Sequence, residues 1–399
     1  MRLTFNHHPC HHQRLSYRHQ HDVLSNIKFQ SRYSSQAFNS QSDLQESDQN
    51  QRLPHPNSGR SATMTRSSNV TFETISDLYK SKTPITMLTA HDFQSARLLA
   101  MSSYTSSQKS NQNQTSKRSL PNGVDFCLCG DSLAMVSLGY TSTNELSLEE
   151  FTYHLKAVRR GLDSVLQPPP IQTNENPYHY RMPLLVADLP FGTFEGQNPD
   201  RGLRTALRLV SEARIDAVKI EGGLEQIPLI KILKQYGIPV IGHLGLQPQR
   251  IAGQGGMKVQ GSKEIESARN IIKTAIELES SGVVGIVLEA IPEKLSIEIQ
   301  KKLSIFTIGI GAGPSVDGQV LVTSDLLGSL DSIKPRFIMD HPSNGYHVSN
   351  LNPRWDLELQ IIHEYINQTR SKRFPNPNGQ HSYKMNSSVF NQLQSEGWT

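Results

Sequence analysis

The sequence predicts an α/β fold: a (β/α)8 TIM barrel behind a disordered N-terminal leader and ahead of a C-terminal helical extension. Three observations carry that prediction. From about residue 70, short β-branched apolar runs alternate with longer amphipathic stretches. The short runs are apolar throughout, as parallel strands buried on both faces are. Eight such units occupy about 270 residues, the size of a closed barrel. A doubly wound open sheet is the alternative. It calls for a Gly-rich turn after the first strand, where this chain has Thr89-Ala90-His91-Asp92.

Taken in order, the expected strands are Ile85–Ala90, Asp125–Gly130, Pro183–Ala187, Ala217–Ile220, Pro239–Gly242, Val283–Leu288, Ile305–Gly309 and Arg336–Met339. The expected helices are Asp92–Met101, Leu148–Gly161, Pro199–Ala213, Glu225–Tyr236, Ser262–Ser281, Pro292–Leu303 and Val320–Leu327. A further amphipathic helix, Phe72–Lys80, precedes the first strand and is placed under the barrel floor. Residues 102–122 and 167–182 are polar or Pro-rich and read as solvated insertions before strands, away from the active face. The division expected is 1–65 leader, 66–345 barrel and 346–399 C-terminal helix and tail.

Composition narrows the function. The chain has 399 residues and a formal charge of +4. Residues 1–60 hold seven Lys/Arg against four Asp/Glu, and the rest holds 33 against 32. The body is nearly neutral, so no nucleic-acid or membrane footprint is expected. No apolar run approaches the ~18 residues of a membrane span. Three Cys exclude a disulfide scaffold. The first 21 residues contain no acid and three Arg, the composition of a mitochondrial transit peptide. Arg32-Tyr33-Ser34-Ser35 resembles a matrix-processing site cut after Tyr33, so a matrix location is expected. If the leader does not target, the location expected is cytoplasmic. The run His7, His8, Cys10, His11, His12 lacks the paired spacing of a zinc site.

Chemistry in a barrel sits just past the strand C-termini. Those positions hold Asp131 and Ser132 after strand two and Asp188 after strand three. Lys219 and Glu221 end strand four, His243 ends strand five and Glu289 ends strand six. Each follows an apolar run, where an unpaired charge is costly. Any one of them could be a salt-bridged or capping residue. Together they gather carboxylates around one Lys and one His, and like charges crowded together need a cation. Oxygen donors without Cys point to Mg²⁺ rather than zinc. Cys127 and Cys129 are two apart on a strand and read as core filler. Gly309–Gly313 reads as a tight turn at the mouth rather than a nucleotide fingerprint.

These residues lie in blocks that resemble the ketopantoate hydroxymethyltransferase (3-methyl-2-oxobutanoate hydroxymethyltransferase) family: MLTAHDFQSARLLA, GDSLAMVSLGYTST, PLLVADLPFGTFE, DAVKIEGG, GIPVIGHLGLQPQ, GGMKVQG, GIVLEAIP and IGIGAGPSVDGQVLV, with RFPNPNGQHSYKM near the end. The resemblance covers about residues 70 to 385. It implies transfer of a one-carbon unit from 5,10-methylenetetrahydrofolate to 3-methyl-2-oxobutanoate, giving 2-dehydropantoate, the committed step towards pantothenate. It also implies a multimer. By position, Asp131 and Asp188 match the family's metal carboxylates, and Glu221 its third, partly water-mediated one. Ser132 and Lys219 match the residues that hold the ketoacid, His243 lines the site, and Glu289 matches the proton acceptor. A 2-oxoacid can chelate Mg²⁺ through its carboxylate and keto oxygen while a carboxylate removes the C3 proton. An apolar strand end is expected to raise the basicity of Glu289. His91 stands where the family usually has Tyr, and Gln247 where Thr is common. The runner-up is a Mg²⁺-dependent C–C lyase of the isocitrate lyase or phosphoenolpyruvate mutase type, which calls for a catalytic Cys in a mobile loop. A non-catalytic barrel scaffold is the third reading.

Overall fold

A computed structural model describes residues 69–103, 123–166, 180–196, 198–331, 334–342, 345–346 and 352–398. The leader, its cleavage site, the His-rich run and the centres of both insertions lie outside the described residues. The eight strands are β1 Ile85–Thr89, β2 Phe126–Cys129, β3 Leu184–Asp188, β4 Ala217–Glu221, β5 Val240–Gly245, β6 Gly285–Glu289, β7 Phe306–Ile310 and β8 Gly318–Leu321. All pair in parallel with their sequence neighbours, and β8 pairs with β1 to close the barrel.

The helices are α1 Phe72–Lys80, α2 Phe93–Met101, α3 Leu133–Val136, α4 Leu148–Asp163, α5 Asp200–Ala213, α6 Ile227–Gln235, α7 Ile265–Ser281, α8 Glu293–Lys302, α9 Thr323–Leu327, α10 Pro353–Arg370 and α11 Ser387–Ser395. Their starts are written locally. Asp92 accepts from Ser95 N to cap α2, and Ser147 and Glu150 form a reciprocal capping box on α4. The α1 helix covers the barrel floor as expected. Its Ile75 and Leu78 join the interior cluster, and its Phe72 ring lies 6.2 Å from that of Phe126.

Side-chain parity divides the sheet cleanly. Ile85, Met87, Phe126, Leu128, Leu184, Val186, Ala217, Ile241, Val287, Ile308 and Val320 fill the interior. Leu88, Cys127, Cys129, Leu185, Val218, Val240, Ile286 and Leu321 face the outer helices. Both Cys are therefore core filler, and burial pushes the Cys127 thiol up to about 12.

One strand is not where the pattern placed it. Arg336–Met339 is a turn, with Ile338 N donating to Pro335 O at 3.1 Å. The eighth strand is Gly318–Leu321, and only the end of the expected helix Val320–Leu327 is helical. A four-residue strand running straight into a five-residue helix gives one merged apolar run, and periodicity cannot divide it. Ile338 and Met339 are buried, so that turn looks like a strand in an apolar profile.

The α10 helix packs on β1 and α2 and supplies an outer helix where the ring closes. Its Tyr365 hydroxyl donates to Met87 O and Gln319 O, across the β1–β8 seam. Its Arg370 guanidinium forks onto Asp125 at 2.8 and 2.7 Å. Arg181 adds a second cation at 2.9 Å, and Thr86 donates from both its backbone and its hydroxyl. Asp125 is fully buried, so its charge depends on these partners. Arg370→Met should therefore destabilise the protein by about 3–5 kcal/mol, the cost of breaking one side of a buried pair. Denaturant unfolding reads this directly. A loss near zero would mean that the network does not fasten α10.

Candidate active site

Strand register brings the polar ends together. Asp188 stands opposite Lys219 across β3–β4, and Glu221 opposite His243 across β4–β5. All four continue the inward parity of Leu184, Ala217 and Ile241, so they enter the barrel mouth from its wall. Asp188 Oδ1 lies 3.0 Å from Lys219 Nζ. The contact is an ion pair rather than a well-aligned hydrogen bond, because Oδ1 lacks an acceptor geometry to any donor. Glu221 Oε1 lies 3.3 Å from His243 Nδ1, again off the hydrogen-bond direction. His243 Nε2 reaches diagonally to Glu289 Oε2 at 3.1 Å.

Asp131 follows the close approach at Gly130, where a Cβ would meet Ser132 Oγ and Asp188 Oδ2. Its backbone N donates to Asp188 Oδ2 at 2.9 Å. Ser132 Oγ sits 3.2 Å from His91 Nε2, and Ser137 Oγ sits 3.2 Å from His91 Nδ1. Burial pushes the His91 imidazole down to about 4, so it stays neutral and relays hydrogen bonds between the two hydroxyls. All seven expected site residues are thus in one mouth. Asp131, Lys219, Glu221, His243, Ser132 and Glu289 line a single cavity of about 240 Å³, and Asp188 adjoins it through Lys219 and Asp131.

Gln249 also belongs to this site and was not singled out by the sequence. It donates from Nε2 to Asp131 Oδ2 at 2.8 Å and to Leu189 O at 3.0 Å. Its backbone N donates to Glu221 Oε2 at 3.0 Å. The turn that delivers it follows Gly245, whose φ is +95° and where a Cβ would strike Glu289 O. The signal was its place inside the block GIPVIGHLGLQPQ, but an amide on a loop carries no charge pattern to betray it.

The electrostatics follow from burial and crowding. Burial first, then Asp188 and Glu221, push the Asp131 carboxyl up to about 8. Burial works against the Lys219 ammonium, but Asp188, Asp131 and Glu221 outweigh it and raise its pKa. Burial and Lys219 oppose charge on His243, yet Glu221 and Glu289 win and lift it to about 9. Glu221 is held low despite burial, mainly by His243. The expected apolar surround of Glu289 is only half right. Val287 and Ile310 lie in its cavity, but an imidazolium faces its Oε2.

Among the described residues, no group of three or more His, Cys, Asp or Glu side chains is assembled as a metal cluster. What the mouth offers is a pair of hard-oxygen ligands, Asp131 and Asp188. Glu221 is engaged by His243 and by Gln249 N. Mg²⁺ often takes one or two carboxylates and completes its shell with substrate and water.

The pH dependence of stability tests this crowding in EDTA-treated protein. Asp131 binds its proton more tightly folded than unfolded, so its contribution falls as pH rises from 3.8 towards about 8. His243, with its pKa raised from 6.5 to about 9, contributes stability below 6.5 that is lost as pH rises through 9. Both slopes point downward between pH 6 and 8. Asp131→Asn should remove the first, so its melting temperature should fall less over that interval than that of the unsubstituted protein. Equal slopes would show that Asp131 is not under this strain.

Comparison with known proteins gives a consistent result. The family model described as ketopantoate hydroxymethyltransferase matches residues 112–377. The 3-methyl-2-oxobutanoate hydroxymethyltransferase of Emericella nidulans is 36% identical over 316 residues, covering 79% of this chain and 76% of that protein. The enzyme of the same name from Cyanothece sp. is 42% identical over 63% of this chain and 85% of its own length. That from Thermus thermophilus is 41% identical over 60% and 83%. A barrel with this mouth, matched over two thirds of its length by that model, belongs to the ketopantoate hydroxymethyltransferase family of enzymes.

Proposed function

We propose that the chain transfers a one-carbon unit from 5,10-methylenetetrahydrofolate to 3-methyl-2-oxobutanoate, giving 2-dehydropantoate, with Mg²⁺ as its metal. The observation that carries the metal part is a charge deficit. Asp131, Asp188, Glu221 and Glu289 face only Lys219 and His243 as cations in the mouth. When ionised, the carboxylates leave two negative charges uncompensated, and a divalent cation balances them. Asp188 Oδ1, buried and ion-paired to Lys219 at 3.0 Å without an aligned hydrogen bond, keeps lone pairs for such an ion.

The residues divide the work by depth and charge. Lys219 remains an ammonium and offsets the carboxylate of the 2-oxoacid. Ser132, held by His91, offers a hydroxyl to the same group. Glu289 is the least buried acid of the set, with an 18% exposed side chain, and it borders the apolar wall of Val287 and Ile310. That wall suits the branched alkyl group, which puts C3 beside a proton acceptor. The His243 ring lies 3.1 Å from one Glu289 oxygen as an ion-pair contact without an aligned hydrogen bond, and the other oxygen is left to take the proton. Mg²⁺ on Asp131 and Asp188 would supply Lewis-acid stabilisation of the charge that develops on the keto oxygen. The one-carbon unit is held by two carrier nitrogens. One C–N bond breaks as C3 forms its C–C bond, and the other breaks as water forms the C–O bond of the hydroxyl. The C3 proton and one water proton pass to the two nitrogens to give tetrahydrofolate. Gln249 keeps Asp131 aimed while this happens.

Among the described residues, the lyase alternative finds no loop Cys at the cavity. Cys127 and Cys129 are buried on the outward face of β2, away from the cavity. The decisive assay is carrier-dependent formation of 2-dehydropantoate, with Mg²⁺ omitted as control. No product from the complete mixture would end the proposal. Glu289→Gln should lower kcat by about 10²–10⁴-fold, the range of a lost general base, while ketoacid affinity stays within a few-fold. Near-normal turnover would remove Glu289 from that role. EDTA should weaken calorimetric ketoacid binding strongly. Undiminished binding would exclude the metal as a ligand bridge.

A further inference from the structure

The catalytic cavity contains one acid that the mechanism leaves unused. Asp325, on α9 just after β8, lines the same space as Asp131, Lys219 and Glu289. It is half-buried, and burial alone raises its pKa; no neighbouring charge contributes. No side-chain hydrogen bond or ion pair reaches its carboxylate among the described residues. The nearby cations are engaged elsewhere. Lys334 donates to Met339 O and Asp340, and His341 to Leu326 O. A half-buried acceptor without a donor is costly unless a ligand supplies one.

The mouth is also lopsided. Every polar group assigned to the oxoacid comes from β2 to β6 or the loops that follow them, and only the apolar edge of Ile310 on β7 is shared with it. The β7–β8 side presents Ile310, Val320, Val322 and the Phe337 ring, with Asp325 as its only acid. Thr89 also stands there, but its hydroxyl accepts from Thr323 N at 3.0 Å. An apolar and aromatic platform with one carboxylate at its edge suits a flat heterocycle that carries donors along one side. The one-carbon carrier of the proposed reaction ends in such a ring. A reduced pterin presents an N3–H and a 2-amino group side by side, and a carboxylate accepts both in a fork, as it does from a guanidinium.

We propose that Asp325 and Phe337 form the subsite for the reduced-pterin ring of the one-carbon carrier. Asp325 accepts from the ring's amino and N–H groups, and Phe337 packs on its face. The oxoacid then lies on the β2–β6 side, and the transferable carbon is held between the two. At about 240 Å³ the cavity is smaller than a typical site for a drug-sized ligand, so it takes the ring and not the whole carrier.

This rests on the folate part of the proposed function, and the test separates the two. Tetrahydrofolate is titrated calorimetrically into the full-length protein and into Asp325→Ala, Asp325→Asn and Phe337→Leu. Both Asp325 variants should bind it about 10- to 100-fold more weakly, the worth of hydrogen bonds to a charged group, and Phe337→Leu should bind it several-fold more weakly. Asp325→Asn keeps the shape of the side chain, so it decides the matter if Asp325→Ala melts early. Unchanged tetrahydrofolate affinity in Asp325→Asn, or no binding by the unsubstituted protein, overturns the subsite. Asp325-dependent tetrahydrofolate binding without any 2-dehydropantoate formation would keep the subsite and end the proposed reaction.

Discussion

Inward parity at the C-terminal ends of four strands, β3 to β6, is the constraint on which the site depends. A strand alternates its side chains between two faces, and in a closed barrel one of those faces is the interior. Lys219 and Glu221 are therefore committed to the mouth by Ala217, which already faces inward. Register does the rest. Asp188 meets Lys219, and Glu221 meets His243, because those pairs stand opposite one another in the sheet. No loop needs to fold precisely to make these contacts. A one-residue slip in β4 would send Lys219 and Glu221 to the outer helices and bring Val218 and Ile220 inside. The network is thus as stable as the barrel itself, and its geometry is inherited from backbone pairing.

This explains what could and could not be read from the sequence. The convergence of seven polar residues at the mouth was legible because each follows an apolar run, and the end of a buried strand is a position with a known address. The barrel was legible for the same reason, from strands that are apolar on both faces. The eighth strand was not, since Gln319-Val320-Leu321-Val322 runs without a break into Thr323–Leu327. The buried turn around Ile338 and Met339 offered a better-looking substitute. Gln249 and Asp325 escaped for a different reason. Both lie after a strand has ended: Gln249 on a turn whose direction depends on tertiary contacts such as the Asn144 Nδ2 bond to Gln249 O at 3.0 Å, and Asp325 on the short helix α9. The partner of Glu289 escaped because a diagonal contact across β5–β6 needs the register, which sequence does not print.

The two ends of the barrel show how the same residue types serve opposite purposes. On the floor side, Asp125 has two guanidinium groups and two donors from Thr86, all within hydrogen-bonding distance. Its charge is over-compensated, and the arrangement can only hold chain segments together. On the β2–β6 side of the mouth, four carboxylates share one ammonium and one imidazolium. Folding alone gains nothing from that imbalance, because buried like charges repel and must be relieved by a proton or a cation. The rise of Asp131 to about 8 is the proton form of that relief. A divalent ion is the other form, and it leaves both aspartates ionised while adding a centre that an anionic oxoacid can approach. Burial with full compensation thus marks the acid that fastens the fold, and burial with a deficit marks the acids reserved for a ligand.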